Sequence, residues 1–249
     1  MTPYYSDDAV TIYHGDHREI LPTLPDDAVD ITITSPPYNM GLIPGGNGRG
    51  MYAPGANNKG GRFRDGYDGG HSDAMPYEDY CQWQRWLLLE TWRVTRHGIF
   101  YNHRPRVEHG ILRFPLDGEY PIPLRQIIVW DRGTGIDVNL RHFCTRQEWI
   151  MLFATPDFAL VDHSASGMGD VWRLGMETKE TGHPAPFPTS LPTRCITATG
   201  AAVILDPHMG SGSTLRAAKD LGRKAIGIEL SEAYCEIAAR RMAQEVLAL

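Results

Sequence analysis

Ala202-Val203-Ile204-Leu205-Asp206-Pro207-His208-Met209-Gly210-Ser211-Gly212-Ser213-Thr214 passes from an apolar run through a glycine turn into a helical pattern that reaches Leu221. The first five residues have the make-up of a buried strand, and Pro207 stops it by removing a backbone donor. A strand, a glycine turn and a helix N-terminus form a cradle for a nucleotide-type cofactor. Glycine lets the backbone pass close to a ligand, and the helix end offers free N–H groups. Two phosphate-binding versions of this cradle do not fit. The ATPase loop needs a lysine, and none follows Pro207 before Lys219; the dinucleotide fingerprint needs a third glycine, and Leu215 stands there. Here Asp206 ends the strand with a carboxylate, which repels phosphate and welcomes an ammonium.

Downstream, Lys224-Ala225-Ile226-Gly227-Ile228-Glu229 reads as a second strand that also ends in an acid. It lies about 20 residues past the glycine turn, the spacing at which an acid binds ribose hydroxyls. Ser231 then caps a helix. A cofactor with a ribose and an ammonium, and with no demand for a phosphate site, is S-adenosylmethionine.

Upstream, Thr11 to His14 is a short strand ending at Gly15-Asp16, and His17 to Leu24 is a short helix stopped by Pro25. Val29 to Thr34 is the next strand, with Val29, Ile31 and Ile33 alternating. This is a βαβ unit, and ligands of parallel sheets sit beyond the C-terminal ends of the strands. Asp16 and Ser35 both fall at such ends. Ser35-Pro36-Pro37-Tyr38-Asn39 then leaves the sheet as a stiff turn carrying outward carbonyls and an aromatic ring, suited to holding a planar base by its amino group. An ordinary strand-ending turn is the alternative for these residues taken alone.

The segment from Gly41 to Gly70 holds eleven of the 26 glycines, with Arg49, Lys59, Arg62 and Arg64 set against Asp65 and Asp68. It is expected as a mobile loop, 41–75, closing over a polyanion, with a solvated disordered insert as the alternative. Pro76 to Val94 reads as the strongest helix, with Tyr80, Trp83, Leu87 and Val94 on one stripe and Gly98 as its stop. Strands follow at Gly98–Asn102, Arg125–Asp131 and Trp149–Ala154. The polar stretch between the last two holds Arg132, Arg141 and Arg146, read either as nucleic-acid contacts or as a solvated face. Asp157 to Thr178 is expected to be irregular. A proline-rich approach, 179–188, precedes a helix from Thr189 to Thr199.

The 249 residues can bury a full core and are read as a single domain, 1–249, with a small target-recognition segment around 132–178. The formal charge of −6 does not decide against a nucleic-acid partner, because phosphate binding depends on where basic groups cluster. The four cysteines, Cys81, Cys144, Cys195 and Cys235, are dispersed, so neither a zinc site nor a disulfide framework is indicated. No secretory signal or membrane-length apolar run is present, and a cytoplasmic protein is expected.

Taken together, these motifs resemble the DNA amino-methyltransferases that modify cytosine N4 or adenine N6. Thr34-Ser35-Pro36-Pro37-Tyr38 is similar to their catalytic motif, Asp206 to Gly212 to their cofactor loop, and Gly182-His183-Pro184-Ala185-Pro186-Phe187-Pro188 to the segment preceding it. The catalytic motif comes first, which is the circularly permuted order of the family's β group. The resemblance implies a Rossmann-like methyltransferase fold in the α/β class, with a mainly parallel seven-stranded sheet and helices on both faces. It implies that Asp206 holds the methionine ammonium, Glu229 the ribose and Asp16 the adenine amino group, with His183, Phe187, Pro207, Gly210, Ser211, Gly212 and Thr214 completing the cofactor site. Ser35, Pro36, Pro37 and Tyr38 become catalytic, Tyr38 stacking on a base rotated out of the duplex. Asn39, Arg49, Lys59, Arg62, Arg64, Arg132, Arg141 and Arg146 are the expected DNA contacts. The implied partners are double-stranded DNA and a cognate restriction endonuclease, for a monomer or homodimer. In this family a serine opening the motif favours cytosine N4 and an aspartate adenine N6, so cytosine N4 is preferred here. A catalytically silent binder of DNA or cofactor, and a methyltransferase of protein glutamine or RNA, are the competing classes.

Overall fold

The computed structural model of the chain describes residues 1–39, 75–108, 111–135, 143–175 and 188–244. The elements in order are β1 (Tyr5–Ser6), β2 (Val10–His14), α1 (His17–Ile20) running into a 3₁₀ turn (Leu21–Thr23), β3 (Val29–Thr34), α2 (Tyr77–Val94) and β4 (Thr95–His103). A hairpin follows, β5 (Arg106–Glu108) and β6 (Ile111–Arg113), and then β7 (Leu124–Asp131), β8 (Gln147–Ala154), α3 (His163–Ser166) and β9 (Val171–Arg173). The chain closes with α4 (Ser190–Thr199), β10 (Val203–Asp206), α5 (Ser213–Asp220), β11 (Lys224–Glu229) and α6 (Glu232–Ala243).

Nine of the described strands make one sheet in the order β1-β2-β11-β10-β3-β4-β8-β7-β9. β2, β11, β10, β3 and β4 are mutually parallel; β8 runs antiparallel to both β4 and β7, and β9 pairs parallel with β7. The sheet is therefore mixed and nine-stranded, which corrects the expectation of a mainly parallel seven-stranded one. β1 folds back antiparallel on β2 at one edge, and β9 is added at the other.

Central strands buried on both faces must carry apolar residues at successive positions. In β4, Phe100 joins the core beneath α4, α5 and α6, with Leu191, Cys195, Leu215, Ala218 and Cys235, while Ile99 and Tyr101 join the opposite core beneath α1 and α2, with Ile20, Leu87 and Leu88. In β8, Ile150 and Leu152 alternate with Met151 and Phe153 between the same two cores. Helices thus cover both faces, as expected.

Local departures from the sequence expectation have local causes. α2 stops at Val94 rather than at Gly98, because Thr95 is already extended and paired with Val29. Helix and strand here join without a loop, and Gly98 lies inside β4, where a Cβ would meet the Phe153 carbonyl at 3.0 Å. The stretch after Asp157 is not wholly irregular. Asp162 caps the single turn α3 by accepting from Ala165 N, and β9 forms because Val171, Trp172 and Arg173 pair with the exposed edge of β7. No described helix is long and apolar enough to cross a membrane.

Candidate active site

The parallel strands deliver their C-terminal ends to one edge of the sheet. Register places His14 of β2 beside Glu229 of β11, and Asp206 of β10 beside Gly227 of β11. Along that edge therefore stand Asp16, Glu229, Asp206, Ser35 and, past the end of β3, the last residues of β4, Asn102 and His103. β8 is reversed, so its beginning reaches the same edge: Trp149 pairs with His103. That reversal brings in Glu148, which nothing in the local sequence marks.

The glycine turn has the form the sequence predicts. Gly210 and Gly212 sit at φ 51° and 82°, the left-handed region that a side chain resists. A Cβ on Gly212 would also lie 3.1 Å from the Ala238 Cβ of α6. Asp206 is 1% exposed. Its Oδ2 accepts from Thr214 Oγ1 at 2.6 Å and its Oδ1 from His208 N at 3.1 Å. Burial pushes its carboxyl up to about 7, against the downward pull of those hydrogen bonds. Among the described residues its donors are hydroxyl and backbone groups, and a carboxylate so held is complementary to a ligand ammonium.

Glu229 accepts from Gly210 N at 2.9 Å and from Ser231 N at 2.8 Å, one bond at each carboxylate oxygen. It therefore braces the glycine turn while keeping lone pairs for ligand hydroxyls. Burial raises its pKa too. Asp16 caps α1 through Arg18 N at 2.8 Å and pairs with the Arg18 guanidinium at 2.5 Å. Burial works to raise its pKa, but the hydrogen bonds from Arg18 outweigh that and hold it below the usual carboxylate range. Ser211 is buried, and its carbonyl accepts from Arg241 at 2.8 Å.

Beyond the prolines, the turn is fixed from the α2 side. Tyr80 OH donates to the Pro37 carbonyl at 2.9 Å and lies 2.6 Å from His103 Nε2. The Tyr38 ring lies against His103 with centroids 4.7 Å apart and planes 35° apart. Its hydroxyl sits in a polar cluster: 2.8 Å from Ser35 Oγ, 2.6 Å from Asn102 Nδ2 and 3.1 Å from Glu148 Oε2. The two halves of the site touch where Thr34 Oγ1 meets His208 Nδ1 at 3.3 Å. His208 in turn packs on His17, ring centroids 4.5 Å apart, and Trp83 Nε1 donates to His17 Nε2 at 3.1 Å. His208 belongs to the glycine-turn motif, but Asn102, Glu148, Tyr80, His103 and His17 have no motif of their own. Their common signal is a strand end or helix face that only topology brings to this edge.

Two of the expected DNA contacts make bonds within the protein. Arg132 turns inward, where it donates to Glu148 Oε1 and the Thr145 carbonyl, each at 3.1 Å. A nearly buried ion pair with Glu148 stands where the sequence was read as a nucleic-acid contact or a solvated face. Asn39, at φ 55°, donates to Met75 O at 2.9 Å and accepts from Met75 N at 2.6 Å, so its amide ties residue 39 to residue 75. Arg146 is half exposed and 3.9 Å from Asp131. Arg49, Lys59, Arg62, Arg64, Arg141, His183 and Phe187 lie outside the described residues, as do most of the loop 41–75 and the proline-rich segment.

The family model described as DNA methylase matches residues 29–240. The chain belongs to the N6/N4 DNA methylase family. Among curated relatives of this methylase, the type II methyltransferase M.ScaI of Streptomyces caespitosus is 28% identical, over 99% of this chain and 86% of its own length. M.SmaI of Serratia marcescens, also a type II methyltransferase, is 28% identical over 92% and 89%. Among solved structures, the cytosine-N4-specific PvuII DNA methyltransferase superposes with a TM-score of 0.73 at 16% identity, covering 99% of this chain and 90% of its own. A Thermus thermophilus protein crystallised with S-adenosyl-L-methionine superposes with a TM-score of 0.64 at 21% identity, over 96% and 95%. At these identities the two structures share the methylase's fold.

Proposed function

We propose that this methylase transfers a methyl group from S-adenosyl-L-methionine to the exocyclic amino group of a base rotated out of duplex DNA, with cytosine N4 as the target. The observation that carries the reading is the contact between the two motifs. Thr34, next to Ser35, touches His208 of the glycine turn, so the residues suited to the target amino group adjoin those suited to the cofactor's amino acid part.

S-adenosylmethionine supplies a sulfonium methyl group. Asp206 binds the ammonium, Glu229 the ribose hydroxyls and Asp16 the adenine amino group. Ser35 Oγ and the Pro36 carbonyl accept hydrogen bonds from the target amino group, which keeps its lone pair from delocalising into the ring and frees it to attack. The ring of Tyr38, backed on one side by His103, stacks on the base; rotating that base out of the helix costs a few kcal/mol. Arg146 and the basic residues of 41–75 meet phosphates. The type II relatives support a place beside a restriction endonuclease.

Ser35 at the head of the motif supports cytosine, as does the name of the PvuII neighbour. Adenine N6 is the second reading, since the family covers both amino groups. Incubating the protein with labelled cofactor and duplex DNA, then identifying the modified nucleoside by mass spectrometry, tests both. N4-methylcytosine is expected. Methyladenine alone refutes the cytosine assignment, and no transfer despite cofactor binding refutes the enzyme.

A further inference from the structure

Glu148 is 7% exposed and lies on β8, outside every motif. Its Oε1 receives Arg132 Nη1 at 3.1 Å. Its Oε2 receives Asn102 Nδ2 at 2.9 Å and the Tyr38 hydroxyl at 3.1 Å. An ion-paired carboxylate accepts hydrogen bonds and donates none. The proton of Tyr38 must therefore point to Glu148, which leaves the Tyr38 oxygen as an acceptor. The single hydroxyl hydrogen of Ser35 then goes to Tyr38, 2.8 Å away, and with Asn102 Nδ2 donating to the same oxygen at 3.3 Å one lone pair is left over. The same logic orients Asn102: a carboxylate at 2.9 Å demands its amino side, and among the described residues Asn102 Oδ1 is left buried without a hydrogen-bond partner.

We propose that Glu148 is a positioning residue for methyl transfer, fixing the hydrogen-bond direction of the Tyr38–Ser35 chain so that Ser35 presents a lone pair, and not a hydrogen, to the target. This rests on the amino-methyltransferase reading and deepens it. A lone pair on Ser35 selects a base that carries an N–H donor and disfavours one with a carbonyl in the same place, because two facing acceptors leave both unpaired. Arg132 has its part here: its guanidinium pairs with the carboxylate and holds it in place from the far side.

The test is Glu148→Gln in the full-length protein, with duplex DNA and labelled S-adenosylmethionine. The amide oxygen keeps the Arg132 contact, while the amide nitrogen sets a donor against Tyr38 and Asn102. The Tyr38 hydrogen then turns to Ser35, and Ser35 turns its own hydrogen on the target amino group. The expected result is a fall in kcat of about tenfold or more, with KM for DNA and Kd for the cofactor within about twofold of wild type. Tyr38→Phe keeps the ring but removes the hydroxyl through which Glu148 acts, so it loses a similar factor, and adding Glu148→Gln causes no further loss. A folded Glu148→Gln protein with wild-type kcat overturns the proposal, and so does a parallel loss of cofactor affinity, the mark of a merely structural residue. If Glu148→Gln does not fold, Tyr38→Phe decides, and a wild-type kcat there overturns it. Absence of transfer by the wild-type protein overturns the amino-methyltransferase reading itself, and this proposal with it.

Discussion

Ser35 and Tyr38 reach the same cluster but act by different means, and single substitutions separate them from the cofactor residues. On the proposed function, Ser35→Ala removes an acceptor for the target amino group, and Tyr38→Ala removes the stacking surface. Each should reduce transfer about 100-fold or more while cofactor affinity, measured by calorimetry, stays near wild type; equal loss of cofactor binding in both would contradict this division. Asp206 gives a pH signature instead. Its carboxyl is raised to about 7 by burial, and an ammonium binds the ionised form. Cofactor affinity should therefore rise as pH rises through about 7, and fall about tenfold for each unit below it. The stability effect has the opposite sign. A carboxyl that holds its proton more tightly folded than unfolded contributes stability at low pH, and that contribution is lost as pH rises through about 7. Asp206→Asn should flatten both profiles, with weak cofactor binding throughout; an unchanged affinity profile would remove Asp206 from the ammonium site.

At the scale of elements, the cradle depends on how closely β11 approaches the turn and α5. Gly227 makes this possible: a Cβ there would lie 2.5 Å from Met209 Sδ and 2.7 Å from Leu215 Cδ2. Gly227→Ala should push the turn away and destabilise the protein by about 1–3 kcal/mol, lowering the thermal midpoint and weakening cofactor binding together. An unshifted midpoint would show that Met209 can move aside without consequence. The sequence made the strand, turn and helix of this cradle readable, because the apolar run, the glycines and the acid are contiguous. It did not make the end of α2 readable. Gly98 looks like a helix stop, yet Thr95 is drawn into the sheet by Val29, 66 residues earlier in the chain, and pairing with a distant strand overrides a local stop signal.

The whole molecule is a sheet assembled from both ends of the chain, and Asp30 is one of its fasteners. From β3 it accepts Ala202 N at 2.8 Å and Val203 N at 3.0 Å, at the start of β10, and it pairs with Arg96 of β4 at 2.9 Å. Asp30→Ala should leave two backbone donors short of a partner and destabilise the fold by about 1–3 kcal/mol. Urea unfolding monitored by circular dichroism should show a lower midpoint with an unchanged slope; a midpoint equal to wild type would mean that water replaces the carboxylate fully.

By itself the sequence determined the two motifs and their order along the chain. Strand ends, proline stops and glycine turns are local, so Ser35, Asp206 and Glu229 declare themselves through their neighbours in the chain. Only the tertiary structure decided what stands around Ser35. Glu148 reaches it through Tyr38 and Asn102 because β8 runs against β4, Asn102 because β4 ends beside β3, and Arg132 turns inward because a buried carboxylate there requires a cation. These partners are set by strand direction and burial, which arise between segments far apart in the chain and leave no mark on the residues beside them.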